Sequence, residues 1–223
     1  MQYLNEKKFD FFQIFCYDIF RYSPNKKRRK QNFMSNTEIY TKLFHEIEKL
    51  MKMKNHISIA IDGGAASGKT TLAKILSEKY GAPIIHMDDF FLRPEQRTPE
   101  RFAEAGGNFD RERFLSEVIP HIRKSKAFSY QIFDCSRMAL GAYREIPNAP
   151  LTIIEGSYSH HPAFSEVFDL RVFLSVTEEE RKNRILARNG AKSEMFFTRW
   201  IPLENRYFEA FSIREKADII IFG

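Results

Sequence analysis

Cysteine is scarce: the chain has two in 223 residues, Cys16 and Cys135. Two cannot staple a small secreted domain, and the pair does not fall in a zinc-ligating spacing, so a reducing, cytoplasmic setting is expected. Uninterrupted apolar runs are short as well. None approaches the roughly 18 residues that a membrane-crossing helix needs, and no membrane partner is expected. There is no NKxD guanine-reading motif and no internal repeat. Hydrophobic residues make up 43% and charged residues 29% of the chain, which excludes a disordered, collagen-like or coiled-coil chain. The length suits one α/β domain with a substantial core, with room for an appendage.

The formal charge of +6 would suit a nucleic-acid binder if it were spread over the surface. It is not. Residues 1–35 alone carry eight Lys/Arg against three Asp/Glu, leaving the remainder close to neutral. The same stretch is rich in aromatics, FDFFQIFCYDIFRY, and runs into the basic cluster Lys26 to Lys30. Asp10 and Asp18 interrupt it, and no small-residue cleavage site follows, so it does not read as a signal peptide. A phosphate-binding arm is one reading. The plainer one is an extension over 1–35, or a start set too early with Met34 opening the domain at 36–223. Ser35 and Glu38 would then form a capping box.

Beyond that boundary the pattern alternates. Ile39, Leu43, Ile47 and Leu50 recur at helical spacing, and residues 56–61 (HISIAI) form a short β-branched run. Leu72, Ile75 and Leu76 mark a second helix, 83–87 a second strand, and Phe114, Val118, Ile119 and Ile122 a further helix. Strands are expected at 151–155, 171–176 and 218–222, with a charged helix from Glu178. Strands separated by helices imply a parallel sheet covered on both faces.

The strongest chemical signal is Gly63-Gly64-Ala65-Ala66-Ser67-Gly68-Lys69-Thr70, a complete GxxxxGK[ST] between a strand and a helix. Main-chain N–H groups that curl around a polyphosphate, aided by the positive end of the next helix, need close-approaching glycines. Lys69 can reach the β- and γ-phosphates, and the Thr70 hydroxyl can ligate Mg²⁺. A flexible glycine turn is the bland alternative. Asp88-Asp89 follows the second strand, at the end that rims a ligand crevice in an open α/β sheet. A carboxylate there can take an acceptor hydroxyl's proton, and turn or capping chemistry is its alternative. Glu155 ends its strand where it could hold Mg²⁺ or merely be a solvated strand terminus. Arg181, Arg184 and Arg188 fall on one helix face, where they could clamp phosphates or merely face solvent beside Glu178 and Glu180.

Taken in order, GGAASGKTTLA, MDDFF, NFDRERF (108–114), FDCSR (133–137), IIEGSY (153–158), RKNRILAR (181–188) and KADIII (216–221) resemble the uridine kinase-like branch of the P-loop kinases. Related patterns occur in nicotinamide riboside kinase, pantothenate kinase and phosphoribulokinase. The resemblance implies a P-loop NTPase three-layer sandwich, with a five-stranded, mostly parallel sheet and a small helical lid. It implies transfer of the ATP γ-phosphoryl group, with Mg²⁺, to a primary alcohol of a small nucleoside-like metabolite, first the 5′-hydroxyl of uridine or cytidine. A kinase of another small alcohol (nicotinamide riboside, pantothenate or a sugar) and a non-catalytic nucleotide-binding regulator are the alternatives. Oligomeric state stays open, and nucleic acid is not an expected partner.

Carried over by position, Asp88 matches the family's general base, with Lys69 and Arg184 beside it at the transferring group. Residues 63–71, through Thr71, together with Arg188 would hold ATP, and Thr70 and Glu155 the metal. Asp110 matches a ribose-binding carboxylate, with helix N-capping as its other reading. Arg181 matches a lid arginine that meets substrate, and Phe133 and Arg137 line the acceptor pocket. Phe133 stands where uridine–cytidine kinases place tyrosine, and the segment after Asp134 lacks their pyrimidine-reading histidine. His160 and His161 could fill that gap, though they read foremost as surface residues.

Overall fold

The computed structural model describes residues 41–223 apart from 123 and 125. The extension expected over 1–35, its boundary and the Ser35/Glu38 capping box lie outside the described residues. The first described element is a helix, Thr41–Met53, which buries Leu43 and Ile47. The strands in chain order are β1 Ile57–Gly63, β2 Ile84–His86, β3 Phe128–Asp134, β4 Ala139–Ile146, β5 Leu151–Glu155, β6 Leu170–Ser175 and β7 Ile219–Phe222. One sheet has the order β2-β5-β1-β6-β7. All its pairings are parallel, where a mostly parallel sheet was expected. β3 and β4 form a separate antiparallel hairpin.

Side chains on a strand alternate between faces, so a sheet buried on both sides needs apolar residues at successive positions. That is why β1, β5 and β7 read as continuous apolar runs. Ile57, Ile59 and Ile61 with Leu151, Ile153, Val172 and Leu174 pack against the helices Thr41–Met53 and Lys69–Tyr80 through Leu43, Ile47, Leu72 and Leu76. The intervening Ala60, Ile154 and Phe173 face the opposite core with Phe90, Phe114, Tyr207 and Ile213. Two apolar layers around one sheet give a three-layer α/β fold.

One expected helix is two. Arg111–Glu117 and Ile119–Ile122 replace a single element over Phe114 to Ile122. Pro120 carries no amide hydrogen, and its ring would collide with the carbonyl four residues earlier, so the chain breaks at Val118. Elsewhere the expected elements appear within a residue or two, including the helix Glu178–Asn189. A helix over Ile201–Phe211 completes the second layer. No helix among the described residues is long and apolar enough to cross a membrane.

The parallel sheet aligns the carboxyl ends of β1, β2 and β5. His86 is opposite Glu155, and Glu155 is opposite Ile61, just before the glycine-rich loop that begins at Gly63. Everything chemically distinctive converges on this edge.

Candidate active site

β1 runs directly into the loop 63–68, and the helix Lys69–Tyr80 leaves it. Gly63 has φ +145°, and a Cβ there would collide with the Leu174 carbonyl of β6. A side chain is therefore excluded by both conformation and space. Lys69 folds back over the loop, donating to the carbonyls of Gly63 at 2.7 Å and Gly64 at 2.9 Å. With its cation at the loop's rim and its helix amino end beneath, the cradle has the chemistry of a polyphosphate site.

Thr70 and Glu155 meet across this edge. The Thr70 hydroxyl lies 3.2 Å and 3.3 Å from the two Glu155 carboxylate oxygens. Glu155 is buried, and His86 Nδ1 approaches its Oε1 at 2.6 Å. Burial alone would lower the His86 pKa, and the hydrogen bond and charge of Glu155 outweigh it, so the net movement is upward. Among the described residues no cluster of three or more His, Cys, Asp or Glu could cage a metal. Mg²⁺ beside a nucleotide does not need one, since it keeps several waters and takes one or two protein oxygens with the phosphates. The Thr70–Glu155 pair fits that requirement.

The adjacent aspartates part company on the 3₁₀ turn Met87–Phe90. Asp89 is fully buried and accepts a hydrogen bond from the Tyr130 hydroxyl at 2.7 Å, with Arg144 Nε 3.0 Å away. It anchors the β3–β4 hairpin to the turn. Asp88 is exposed to solvent and lies within reach of the charges of Glu155, Lys69 and His86. Protein crowds it there, and this desolvation, with the negative charge of Glu155, pushes its pKa up to about 6 despite Lys69 and His86. Of the two, Asp88 is the carboxylate left available for chemistry. Tyr130→Phe keeps the ring against Phe90 and removes one donor from a buried acid. It should lower unfolding free energy by about 1.5–3 kcal/mol in denaturant titration, and a loss below about 0.5 would mean that Arg144 alone satisfies Asp89.

Two of the three arginines, Arg181 and Arg184, lie beside the loop. Arg181 Nη1 stands 2.7 Å from where a Gly64 Cβ would be. Arg184 pairs with Glu180 at 2.7 Å and reaches the Ala66 carbonyl at 3.4 Å. Arg188 lies over the Phe196 ring and is close enough to feel the Asp88 charge. Ile185, Phe196 and Trp200 pack against Ala65 and Ala66, so this helical segment covers the loop directly.

The acceptor-side residues are less available. Asp110 is fully buried, caps its helix through the Arg113 N–H at 3.1 Å, and pairs with Arg93 Nε at 3.2 Å. Its own N–H donates to the Phe90 carbonyl at 2.8 Å, which ties it to the Asp88 turn. Phe133 is fully buried with Cys135 and touches Phe91, while the Arg97 guanidinium lies over its ring. Arg137 is exposed on the hairpin turn and gives its N–H to Asp134.

His160 and His161 are not surface residues. His160 is 4% exposed, donating its N–H to Asp62 at 2.9 Å, with Nε2 3.1 Å from the Ala60 carbonyl. His161 stacks on Tyr207 and meets Phe109 and Phe211, and burial there, helped by Arg111 and Arg101, takes its pKa down to about 4. Both are held in structural contacts, His160 against β1 and His161 among the aromatic rings.

Sequence reading missed Asp62, Ser157 and Glu204. Asp62 is fully buried and accepts from the Gly63 N–H at 2.7 Å, the His160 N–H and the Tyr207 hydroxyl at 2.9 Å. Glu204 is 6% exposed and accepts from the Ala65 N–H at 2.9 Å and the Ser157 hydroxyl at 2.7 Å. An acid on an amphipathic helix 140 positions from the loop carries no local signal of either contact.

Comparison with known proteins adds relatives to this geometry. No family model matches the chain. It is 25% identical over 190 residues to a uridine kinase of Mycoplasma pneumoniae, covering 77% of this chain and 87% of the relative. It is 24% identical over 146 residues, 61% of this chain, to mouse uridine-cytidine kinase-like 1. The match spans only 27% of the length of that mouse protein. A solved structure from Bacillus stearothermophilus, described as a possible uridine kinase, superposes with a TM-score of 0.60 at 21% identity. That match covers 81% of this chain and all of the other. A candidate fructose transport system kinase from Silicibacter sp. TM1040 gives 0.52 at 21%, covering 74% and 89%. By the order of its motifs, its all-parallel three-layer fold and these relatives, the chain resembles the uridine kinase-like family of P-loop kinases.

Proposed function

We propose that the protein is an ATP-dependent phosphotransferase that moves the γ-phosphoryl group to a primary hydroxyl of a small nucleoside-like alcohol, the 5′-hydroxyl of uridine or cytidine first among the candidates. The observation that carries this reading is the division of labour at the end of β2. Asp89 is sealed into a structural contact, and Asp88 is exposed beside the charges of Lys69 and Glu155, with Thr70 held against Glu155. In this reading residues 63–71 hold the polyphosphate through main-chain N–H groups, and Lys69 leaves its carbonyl partners to meet the outer phosphates. Asp88 accepts the proton of the acceptor hydroxyl as the hydroxyl oxygen bonds to the γ-phosphorus and the bond from that phosphorus to the β–γ bridging oxygen breaks, releasing ADP. Arg181, Arg184 and Arg188 neutralise charge on the transferring group and close the crevice to water. Thr70 and Glu155 would hold a divalent cation, which would supply charge neutralisation at the phosphate oxygens.

One observation favours a second acceptor class, a small alcohol other than a ribonucleoside. Both oxygens of Asp110 are already engaged, and Phe133 has no hydroxyl with which to read a base. A site without the matching polar partner discriminates weakly. The test is ADP release from MgATP over a panel of uridine, cytidine, nicotinamide riboside, pantothenate and simple sugars. Acceptor-dependent release with one or more supports the phosphotransferase reading, and the identity of the best acceptor separates the two classes. Release with none, from protein that binds MgATP, overturns it.

A further inference from the structure

Glu204 is an unexpected occupant of the nucleotide loop. It comes from the helix Ile201–Phe211, is nine-tenths buried, and seats one carboxylate oxygen on the Ala65 N–H at 2.9 Å. The other oxygen accepts from Ser157 at 2.7 Å. The cations facing it are Lys69 and Arg181, and a Gly64 Cβ would lie 2.7 Å from Arg181 Nη1 and 3.7 Å from Glu204 Oε2. A loop amide, the loop lysine and an arginine from the covering helix form the same kind of partner set that a phosphate oxygen requires. The amides at the start of the helix Lys69–Tyr80 suit the inner phosphates, whereas Ala65 lies earlier in the loop, toward the outer end. Burial works against the charged form of this carboxylate and outweighs Lys69, the Ser157 bond and the Ala65 N–H, so its pKa moves upward.

We propose that Glu204 is an internal stand-in for the terminal phosphate of the nucleotide. It keeps the loop and its cations assembled when no triphosphate is bound and competes with the γ-phosphate for them, which sets how strongly the site prefers triphosphate over diphosphate. The inference rests on the nucleotide-site reading above. Its consequence is asymmetric. A diphosphate leaves the outer end of the loop to Glu204, whereas a triphosphate must displace the carboxylate or lie against its charge.

Calorimetric titration of the full chain with Mg²⁺ and either ADP or the β,γ-imido analogue of ATP separates the cases. Glu204→Gln keeps the side chain's shape and an acceptor for Ala65 while removing the charge. Binding of the triphosphate analogue should tighten about tenfold, roughly 1.4 kcal/mol, while ADP changes less than about twofold. Equal shifts for both ligands, or weaker triphosphate binding, would overturn the proposal and leave Glu204 a brace for the loop. Ser157→Ala removes one of the carboxylate's two holds and should favour the triphosphate analogue in the same sense by a few-fold. If Glu204→Gln does not fold by circular dichroism, this second variant decides, and an unchanged ratio in it overturns the inference. Wild-type protein that binds neither nucleotide would instead overturn the nucleotide site itself.

Discussion

Asp88→Asn is expected to leave MgATP affinity within about twofold and to lower turnover by about 10²–10⁴-fold, the range that a positioned general base contributes. Asparagine fills the same space and cannot take a proton. The wild-type pH profile should carry the same signature. Because crowding and Glu155 raise the Asp88 pKa to about 6, the carboxylate is protonated below that value and available above it. Thus kcat/KM should rise through about pH 6 to a plateau, and this acidic limb should vanish in the residual activity of the variant. Stability supplies a second, independent reading. A carboxylate whose pKa is higher folded than unfolded destabilises the fold once ionised, so the variant should melt higher than wild type at pH 8 and alike near pH 3. Full turnover in Asp88→Asn would remove this residue from the chemistry, whatever the melting curves showed.

Lys69→Ala has the second large expected effect, and it differs in kind. Lys69 now neutralises the carbonyl-lined mouth of the loop through Gly63 and Gly64 and faces both Asp88 and Glu204. Its loss removes a cation that meets the phosphates in both the bound and the reacting states. Affinity for MgATP should therefore fall along with turnover, with kcat reduced by about 10²–10³-fold, the scale of losing one preorganised charge-stabilising group. The split between the two variants is the diagnostic: Asp88→Asn loses rate alone, and Lys69→Ala loses binding and rate together. Unchanged kinetics in Lys69→Ala would deny the loop its assigned ligand.

The parts of this molecule that could be read from sequence are those whose physics is local. A loop that must approach phosphate closely needs glycines at fixed offsets, and a strand buried on both faces needs an unbroken apolar run, so 63–70 and β5 are visible without coordinates. The place of Asp88, just past the carboxyl end of β2, was legible because that strand announces itself as a short apolar run. What escaped depends on pairing across long separations. The β3–β4 hairpin is held to the core through Tyr130 and Asp89, 41 positions apart. His160 and His161 read as polar surface residues until the turn after β5 is seen to bring them to Asp62 and the aromatics of the last helix. The break at Val118 was legible in Pro120, but apolar spacing spoke louder than the missing amide hydrogen.

The bracing of β1 and its loop by Asp62–Tyr207 and Ala65–Glu204 joins positions 145 and 139 residues apart. During synthesis the loop emerges well before its two props, so the nascent chain must wait for most of the described domain before this corner can be finished. Contacts of such long sequence separation form late and slow the search for the native state. The interval leaves β1, β5 and β6, three apolar strands, made before the helix that covers one of their faces. The order in which the polypeptide is threaded thus makes that face the place where a crowded or overheated cell would find this protein most prone to stick to itself.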